Sequence, residues 1–364
     1  MKILQICAYA GPYEGNFMKS LYTLEKNMLN YGYETIYAFP ESIKDNEWVK
    51  KLVAKKERKK ERKKVYFLPL RKARIRPKTY IEVKRILKEN SDIRIVHSHF
   101  ELYDIPARLM FPREVKVFWH LHDPIDINRK GNRALLERLQ YKYLSKNVTL
   151  LSVAEKYRQD LIRAGFPQDR AFTLPNGIDL ERIELNSNID KDYDFLAYVW
   201  DFRRKGCDII IKAANILIQK GYDFKVLLIG NSEAQTYIDD NYSDIKQYFS
   251  VRNAEQDINQ LFKKARVFIS ASRAETFSYA VCEAAYAGLN VISSDIPGLE
   301  WAKQIPSIQY FESENPILLS EKMENFLNNA SIDDPKISAS RKIIEESFSV
   351  QHWCEQIVSY YGIL

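Results

Sequence analysis

The feature of this sequence that most constrains its fold is the repeated alternation of short apolar segments with amphipathic helices. The apolar segments have the length and the β-branched and aromatic content of buried strands. Between them the apolar residues recur at helical spacing, as in the stripe from Phe17 to Met28 that ends at Gly32. This alternation predicts an α/β protein built on doubly wound parallel sheets. The predicted strands are 2–8, 34–39, 65–70, 93–98, 115–121, 148–153 and 171–174 in the first half, and most clearly 195–199, 224–229, 266–270 and 290–293 in the second.

The length of the chain and a turn near its middle predict two domains. A chain of 364 residues with 46% hydrophobic content can bury more than one core. Between the two sets of strands lies Leu174-Pro-Asn-Gly-Ile-Asp179, a cluster of turn-forming residues. We therefore expect domains at 1–175 and 176–347. The remaining segment, 348–364, has apolar residues at helical spacing and is predicted to be a terminal helix.

Composition predicts a cytoplasmic protein. It has no apolar run near 18 residues, so no transmembrane span is predicted, and its start has the pattern of a strand rather than of a signal peptide. The four cysteines, at 7, 207, 282 and 354, are scattered without metal-binding spacing. Reduced thiols and a cytoplasmic location are the expectation.

Two glutamates near the end of a predicted strand form the most informative local pattern. Strand 266–270 is followed by a polar loop that carries Glu275, and then by a helix, Tyr279 to Ala287, with Glu283 in its second turn. A helix N-terminus offers backbone amides and the positive end of the helix dipole, which suits a phosphate group. Carboxylates on either side of it could accept hydrogen bonds from sugar hydroxyls. The alternative is that both glutamates are solvated surface side chains.

The wider pattern resembles a known family. Ser-x-x-Glu-x-Phe-Ser, then Glu-Ala-Ala-x-Ala-Gly and a strand followed by Pro297-Gly298, closely resembles the signature of the family 4 retaining glycosyltransferases, or glycosyl transferases group 1. The segment Pro175 to Asp179 is similar to the one where this family passes between its domains. The resemblance implies a GT-B fold, with two Rossmann-like doubly wound domains facing a cleft. The acceptor would bind to the N-terminal domain and the nucleotide sugar to the C-terminal domain, and helix 348–364 would cross back onto the first.

The resemblance also implies roles for the residues of this segment. Glu275 would be catalytic and contact the donor sugar, and Glu283 would bind the ribose hydroxyls. The amides of Phe277, Ser278 and Tyr279 would lie near the diphosphate, although most relatives have glycine where this chain has Ser278. A nucleoside-diphosphate sugar would be the substrate, and neither a metal nor another cofactor is expected.

A basic turn after strand 195–199 is the second candidate for phosphate binding. Arg203, Arg204 and Lys205 follow the carboxyl end of that strand, where open α/β sheets bind ligands. Cations there would stabilise the charge of a departing nucleoside diphosphate. Relatives have Gly-Arg and, a few residues later, Lys-Gly. Here Trp200-Asp201 stands in the place of Gly-Arg, so we expect Arg203 or Arg204 to replace the usual arginine; a basic surface turn is the alternative.

The loop after the first strand supplies two further candidates. Gly11 and Gly15 lie in this loop without the complete glycine pattern of a dinucleotide-binding protein, which argues against a dehydrogenase. In the family that the chain resembles, this loop faces the diphosphate and the acceptor. Gly15 and Asn16 are therefore expected donor-site contacts, with an ordinary tight turn as the alternative.

Two His-x-His pairs close predicted strands of the first half. In each pair, His97 with His99 and His120 with His122, the side chains share one face of a strand. This spacing suits zinc or iron, with Asp123 and Asp126 nearby, and it raises an alternative of another class, a metal-dependent hydrolase. The resemblance instead implies that His122 is catalytic and lies at the donor sugar. A buried histidine without chemistry is an equally good interpretation of His97.

The charge excess of +7 is concentrated in the segment 50–64, which holds ten lysines and arginines. A short apolar patch that includes Trp48 precedes it. Attraction to an anionic membrane, at about 1 kcal/mol for each basic residue near the surface, would suit a lipid-linked acceptor. A solvated helix face is the main alternative. Nucleic acid is not an expected partner, because the run lacks interleaved aromatic residues.

Together these patterns predict a bacterial-type retaining glycosyltransferase of cell-envelope polysaccharide biosynthesis. It would move a hexose from a nucleoside-diphosphate sugar, such as a UDP-sugar, to a hydroxyl of a cell-surface glycan or lipid-linked acceptor. The enzyme would be cytoplasmic or peripheral on the inner face of the plasma membrane. Besides the metal-dependent hydrolase, a non-catalytic sugar-nucleotide binder remains an alternative.

Overall fold

The computed structural model describes residues 1–56, 64–123, 132–185, 191–253, 257–329 and 335–363. The chain divides into two compact units. The first unit comprises Met1–Gly177 and Val350–Leu364, and the second unit comprises Ile178–Ser349.

The first unit is a parallel sheet with helices on its faces. Its strands are β1 Lys2–Cys7, β2 Glu34–Pro40, β3 Val65–Leu68, β4 Ile93–His99, β5 Lys116–Leu121, β6 Val148–Ser152 and β7 Ala171–Thr173. Its longer helices are α1 Gly15–Asn30, α2 Glu47–Lys56, α3 Pro77–Glu89, α4 Asp104–Met110, α5 Asn132–Leu144 and α6 Glu155–Arg163, with a last helix near the end of the chain.

The second unit repeats this architecture. Its strands are β8 Tyr193–Tyr198, β9 Val226–Gly230, β10 Phe249–Asn253, β11 Ala265–Ser270, β12 Asn290–Asp295 and β13 Ile308–Glu312. Its longer helices are α7 Cys207–Gln219, α8 Ser232–Asn241, α9 Ile258–Lys263, α10 Tyr279–Ala287, α11 Pro316–Asn329 and α12 Pro335–Phe348. Helix α13, Val350–Tyr360, belongs to the first unit.

Both sheets are doubly wound. The strand order is β3-β2-β1-β4-β5-β6-β7 in the first unit and β10-β9-β8-β11-β12-β13 in the second, and the pairings are parallel. The order reverses between β1 and β4 and again between β8 and β11. In open α/β sheets, ligands bind beyond the carboxyl ends of the strands at such a reversal. The predicted α/β fold with doubly wound parallel sheets is confirmed.

Burial on both faces explains why the sequence predicts these strands well. All six residues of β1 are buried. Ile3 and Cys7 contribute to the core on one face of the sheet, and Leu4 and Ile6 to the core on the other. Parallel strands that are covered on both sides have nearly continuous apolar sequences, because water reaches neither face.

The two edge strands of the second unit were not among the clearest predictions. In β10 no residue is fully buried, and β13 has only two buried residues. A strand at an edge is covered less completely, so its sequence lacks the long apolar run of a central strand.

The end of the chain differs slightly from the predicted helix. Phe348 ends α12 and packs in a core of the second unit, and the last helix begins at Val350. Trp353 and Ile357 of this helix are buried in the core of the first unit together with Leu24 of α1.

The apolar patch before the basic segment is not available to a membrane, and that part of the prediction is wrong. Trp48, Val49 and Leu52 are buried in the core of the first unit, and the indole of Trp48 donates a hydrogen bond to the carbonyl of Gly11. These residues form the inner face of α2. Their helical spacing is hard to see in the sequence because the run of charged residues overlaps it. Residues 57–63 of the segment lie outside the described residues.

Helices long and apolar enough to cross a membrane are absent from the described parts of the chain. The four cysteines are all buried and unpaired.

Candidate active site

The centre of the site is the loop that joins β11 to α10. In this loop Oε1 of Glu275 accepts a hydrogen bond of 2.9 Å from the Ser272 hydroxyl and forms an ion pair with the Lys205 ammonium. A guanidinium nitrogen of Arg204 lies 3.6 Å from the same oxygen. The basic turn and the glutamate loop, 70 residues apart in sequence, therefore meet at the carboxyl ends of β8 and β11.

Two glycines let these loops approach so closely. Gly206, with φ of +67°, lies against the carbonyl of Ala271, and Gly298 lies against the carbonyl of Glu275. A Cβ atom at either position would overlap that backbone oxygen. The glycines that follow Lys205 and Pro297 in the sequence are thus required by backbone packing around Glu275.

We predict that Gly298→Ala lowers turnover by moving the Glu275 backbone. Because a displacement of about 1 Å can cost about 10²-fold in rate, kcat should fall by that order. Gly221→Ala is the matched control, since φ there is +90° but a new Cβ would meet nothing within 4 Å. It should lower the melting temperature and spare kcat. Equal kcat values for the two variants would contradict this account of Gly298.

Helix α10 starts beside Glu275 from an unusual backbone conformation. Ser278, the residue before its first turn, has φ of 63° and ψ of 85°, a left-handed conformation that favours glycine. Phe277 is buried and stacks on Trp301 with ring centroids 4.5 Å apart, and its carbonyl accepts a hydrogen bond from the Trp301 indole. The side chain of Phe277 is therefore part of the core, and only its backbone could serve a ligand. Tyr279 opens the helix and is partly exposed.

Glu283 is buried and has a partner that the sequence analysis missed. Its side chain is 4% exposed and forms an ion pair with Arg182. Arg182 is held in turn by Asn259, whose amide donates to the Arg182 carbonyl at 2.9 Å. The only sequence signal for Arg182 was its place shortly after the Pro-Asn-Gly turn.

The three cations of the basic turn have different partners. Arg203 is 72% exposed and pairs with Asp208 at 3.2 Å. Arg204 pairs with Asp201 at 3.0 Å and lies over the exposed ring of Trp200, 4.6 Å from its centroid. Lys205 is 11% exposed and pairs with Glu275. Arg204 and Lys205 therefore point toward Glu275, whereas Arg203 does not.

Arg273, a residue that the sequence did not indicate, ties the loop that carries Glu275 to helix α7. Its guanidinium makes two hydrogen bonds of 2.8 and 2.9 Å to the carboxylate of Asp208 at the start of α7. A bidentate pair of this kind restricts both side chains more than a single contact would. The loop that carries Glu275 is thus tied to the helix that follows the basic turn.

In the first unit the four paired histidines form one buried cluster. His97 and His99 on β4 lie beside His120 and His122 at the end of β5, and adjacent rings have centroids between 4.1 and 5.4 Å apart. Burial lowers the pKa of His97 and of His122 to about 3 and brings the pKa of His99 and of His120 well below the usual value. The imidazoles are therefore neutral near pH 7.

The cluster contains a possible set of metal ligands, but much of it is already engaged. Ligand nitrogens of His97, His99 and His120 lie within 4.8 Å of one another. Both nitrogens of His99 have partners, namely Gln5 at 2.9 Å and His122 at 3.1 Å. Within the described part of the chain, both nitrogens of His120 and Nε2 of His97 have none. A metal bound by all three would have to break a contact of His99. Asp126 lies outside the described residues.

The loop after β1 belongs to the first unit as well. Gly15 is exposed, has φ of +60° and starts α1. Asn16 follows it, and its carbonyl accepts a hydrogen bond of 3.1 Å from the Ser20 hydroxyl. Glu275, Lys205 and Arg204 are thus brought together within the second unit, while His122, Gly15 and Asn16 lie in the first.

Two family models match the chain in succession. Residues 22–182 match the model described as Glycosyltransferase Family 4, and residues 194–329 match the one described as Glycosyl transferases group 1. This chain belongs to the family 4, group 1 glycosyltransferases.

Relatives agree with this assignment. The capsular polysaccharide biosynthesis glycosyltransferase CapM of Staphylococcus aureus is 24% identical over 232 residues, which cover 58% of this chain and 61% of CapM. A glycosyltransferase from Rickettsia africae has a similar structure, with a TM-score of 0.78 at 16% identity over 100% of this chain and 98% of its own. Anabaena HepE in complex with UDP gives a TM-score of 0.78 at 15% identity over the whole of both chains. The fold is that of the GT-B glycosyltransferases.

Proposed function

We propose that this protein is a retaining glycosyltransferase that moves a hexose from UDP-sugar to a hydroxyl of a cell-surface glycan or lipid-linked acceptor. The observation that carries the proposal is the convergence of Lys205 and Arg204 on Glu275 at the reversal of strand order in the second unit. This is the place where a doubly wound sheet binds its ligand, and it combines cations for a diphosphate with a carboxylate for sugar hydroxyls.

In the donor site, the cations and the start of α10 bind the diphosphate. Arg204 takes the role of the usual phosphate arginine, because it points toward Glu275 while Arg203 pairs with Asp208. The backbone of Phe277 to Tyr279 lies at the positive end of α10, where a phosphate is stabilised. HepE, of similar fold, has been solved with UDP and with UDP-glucose, which supports a UDP-sugar.

Transfer itself is achieved by positioning and electrostatics. The acceptor attacks on the face from which the diphosphate leaves, and a phosphate oxygen helps to remove the acceptor proton. Glu275 and His122 contact the donor sugar, and Gly15 and Asn16 contribute from the loop after β1. No metal is needed for these steps. The similarity to CapM supports an acceptor in capsular or other cell-envelope polysaccharide.

Binding of nucleoside diphosphates to the purified protein tests this proposal. We expect calorimetry to show binding of UDP, and a UDP-sugar panel to yield one substrate whose anomeric configuration is retained in the product. A protein that binds no member of a panel of nucleoside diphosphates would contradict the proposal.

Glu283→Gln is expected to weaken UDP binding about 10-fold to 100-fold, because buried ribose hydroxyls lose an acceptor worth about 1–3 kcal/mol. The same change leaves the half-buried Arg182 beside a neutral partner, so it should also lower the free energy of unfolding. The double variant Arg182→Gln/Glu283→Gln separates the two effects. It should recover stability but not UDP affinity; recovery of both would mean that Glu283 has only a structural role.

A membrane-facing surface on the first unit is the remaining part of the proposal. Lys50, Lys51 and Lys55 of the basic segment are exposed. A second group, which we call the basic surface, follows β3 and combines exposed cations with exposed apolar side chains. It consists of Arg71, Lys72, Lys78, Ile75, which is 74% exposed, and Ile81, which is 65% exposed. Cations beside protruding isoleucines suit the headgroups and acyl boundary of an anionic bilayer.

We expect Arg71→Glu/Lys72→Glu/Lys78→Glu to release the protein from anionic vesicles in a sedimentation assay. Lys50→Glu/Lys51→Glu/Lys55→Glu should weaken binding less, because the large apolar side chains next to that group in the sequence, Trp48, Val49 and Leu52, are buried. The control Lys212→Glu/Lys246→Glu/Lys342→Glu reverses three exposed lysines of the second unit and should bind like the parent protein. Binding should also fade as salt shortens the Debye length from about 10 Å at 0.1 M to about 3 Å at 1 M. Equal binding to neutral and anionic vesicles would exclude this role.

The histidine cluster supports one alternative function, that of a metal-dependent hydrolase. Because three of its ligand nitrogens lie within 4.8 Å, a metal-dependent hydrolase remains the second candidate. A transferase should keep its activity after exhaustive chelation. Hydrolytic activity that chelation abolishes and zinc or iron restores would favour the hydrolase.

A further inference from the structure

A chain of side-chain hydrogen bonds runs through the centre of the first unit, from near the end of the protein to His122. Nδ1 of His97 lies 2.7 Å from the hydroxyl of Tyr361. The amide nitrogen of Gln5 donates to the same hydroxyl at 3.3 Å, and the amide oxygen of Gln5 lies 2.9 Å from Nε2 of His99. Nδ1 of His99 then lies 3.1 Å from Nε2 of His122. All five side chains are buried.

The chemistry of these groups fixes where the protons are. An amide oxygen only accepts, so Nε2 of His99 must carry the proton that it donates to Gln5. A neutral imidazole carries a single proton, so Nδ1 of His99 is an acceptor. Nε2 of His122 must therefore be the donor in their contact, and Nδ1 of His122 is left without a proton.

We propose that Gln5, His99 and Tyr361 are positioning residues that hold His122 in the Nε2-protonated tautomer, with Nδ1 ready to accept a hydrogen bond from a hydroxyl of the donor sugar. The inference rests on the proposed function of His122. It gives the chain beyond α13 a part in the chemistry, because the Tyr361 hydroxyl accepts the hydrogen bond of the Gln5 amide nitrogen and the amide oxygen is then left to face His99. With the Gln5 amide reversed, Nε2 of His99 would accept a hydrogen bond and Nδ1 of His99 would donate one to His122. Nδ1 of His122 would then carry the proton.

Tautomers are measured directly on the full-length protein labelled with ¹⁵N-histidine. Long-range ¹H–¹⁵N correlations should show His99 and His122 as neutral rings protonated at Nε2. The signals are assigned by comparing the five single histidine variants, since the chain has five histidines. A His122 ring protonated at Nδ1, or at both nitrogens at pH 7, would overturn the proposal.

Paired variants separate positioning from simple packing. Tyr361→Phe removes only the hydroxyl, and it should give mixed His122 tautomers and a kcat about tenfold lower, the equivalent of one hydrogen bond, with an unchanged donor KM. Tyr360→Phe removes a hydroxyl from the adjacent residue and should change neither. If Tyr361→Phe lowers the melting temperature but leaves kcat and the His122 signals as in the parent, the role of Tyr361 is structural.

A second pair tests His99 without relying on Tyr361. In His99→Asn the amide oxygen can take the place of Nδ1 and accept from His122, whereas His99→Leu offers no acceptor. The asparagine variant should keep the parent His122 tautomer and most of its kcat, and the leucine variant should lose both. Equal kcat for the two variants would overturn the proposal. Failure to bind UDP, by contrast, would overturn the proposed function while the tautomer measurement still stood.

Discussion

Glu275→Gln is expected to lower kcat for sugar transfer about 10²-fold while UDP binds with nearly the parent affinity. The substitution keeps the shape of the side chain but removes the charge that Lys205 and Arg204 share. Loss of one electrostatic contact to a developing charge typically costs 10²-fold to 10³-fold in kcat. Initial rates with the UDP-sugar substrate and calorimetry with UDP measure the two quantities separately.

The control for this variant is Glu300→Gln, which neutralises an exposed glutamate shortly after Gly298 in the second unit. It should behave like the parent protein in both assays. If Glu275→Gln turns over normally, Glu275 is not catalytic. If it loses UDP binding as well as turnover, Glu275 helps to hold the diphosphate cations in place rather than acting on the sugar.

The second large effect that we expect is acid destabilisation of the first unit alone. In the folded protein, burial lowers the pKa of each of the four clustered histidines, to about 3 for His97 and His122. In the unfolded chain a histidine has a pKa near 6.5. Below pH 6.5 the unfolded state therefore binds more protons than the folded state. The free energy of unfolding has its full value above this pH and decreases as the pH falls.

The size of this effect follows from the shift in pKa. At pH 5 each histidine that stays neutral in the folded state lowers the free energy of unfolding by about 2 kcal/mol. Asp104 opposes this trend, since burial raises its pKa to about 7 and its proton stabilises the folded state at lower pH. All five histidines of the sequence belong to the first unit. The second unit should therefore keep its stability over the same range.

Hydrogen exchange of the whole protein, corrected for the intrinsic pH dependence of exchange, measures the two units separately. Peptides of the first unit should lose protection between pH 6.5 and 5, and those of the second should not. His120→Leu is the matched variant, because neither nitrogen of His120 has a partner among the described residues. In this variant, the number of protons taken up when the first unit unfolds should fall by about one, and the free energy of unfolding should depend less steeply on pH. A parallel loss in both units would place the acid-sensitive groups elsewhere.

Much of the candidate site could be predicted because its residues follow strands. Glu275 and the basic turn each come directly after a buried strand, and the carboxyl ends of parallel strands lie at one edge of a sheet. The pairing of Glu283 with Arg182 could not be predicted, since 101 residues separate them and neither has a periodic neighbour that indicates the other. The same is true of the bidentate contact between Arg273 and Asp208.

The sequence by itself determined the central strands, most of the helices and the division into two units, because the alternation of apolar residues directly reflects which faces water does not reach. It also placed His97 and His99 on one face of a strand, as it did His120 and His122. Only the tertiary structure decided that these four rings lie together and neutral, and that His122 and His99 are linked through Gln5 to Tyr361. It also decided that Trp48 is a core residue and not part of a membrane patch. Burial patterns repeat over a few residues and are visible locally, whereas hydrogen bonds and ion pairs depend on distances between segments far apart in the chain.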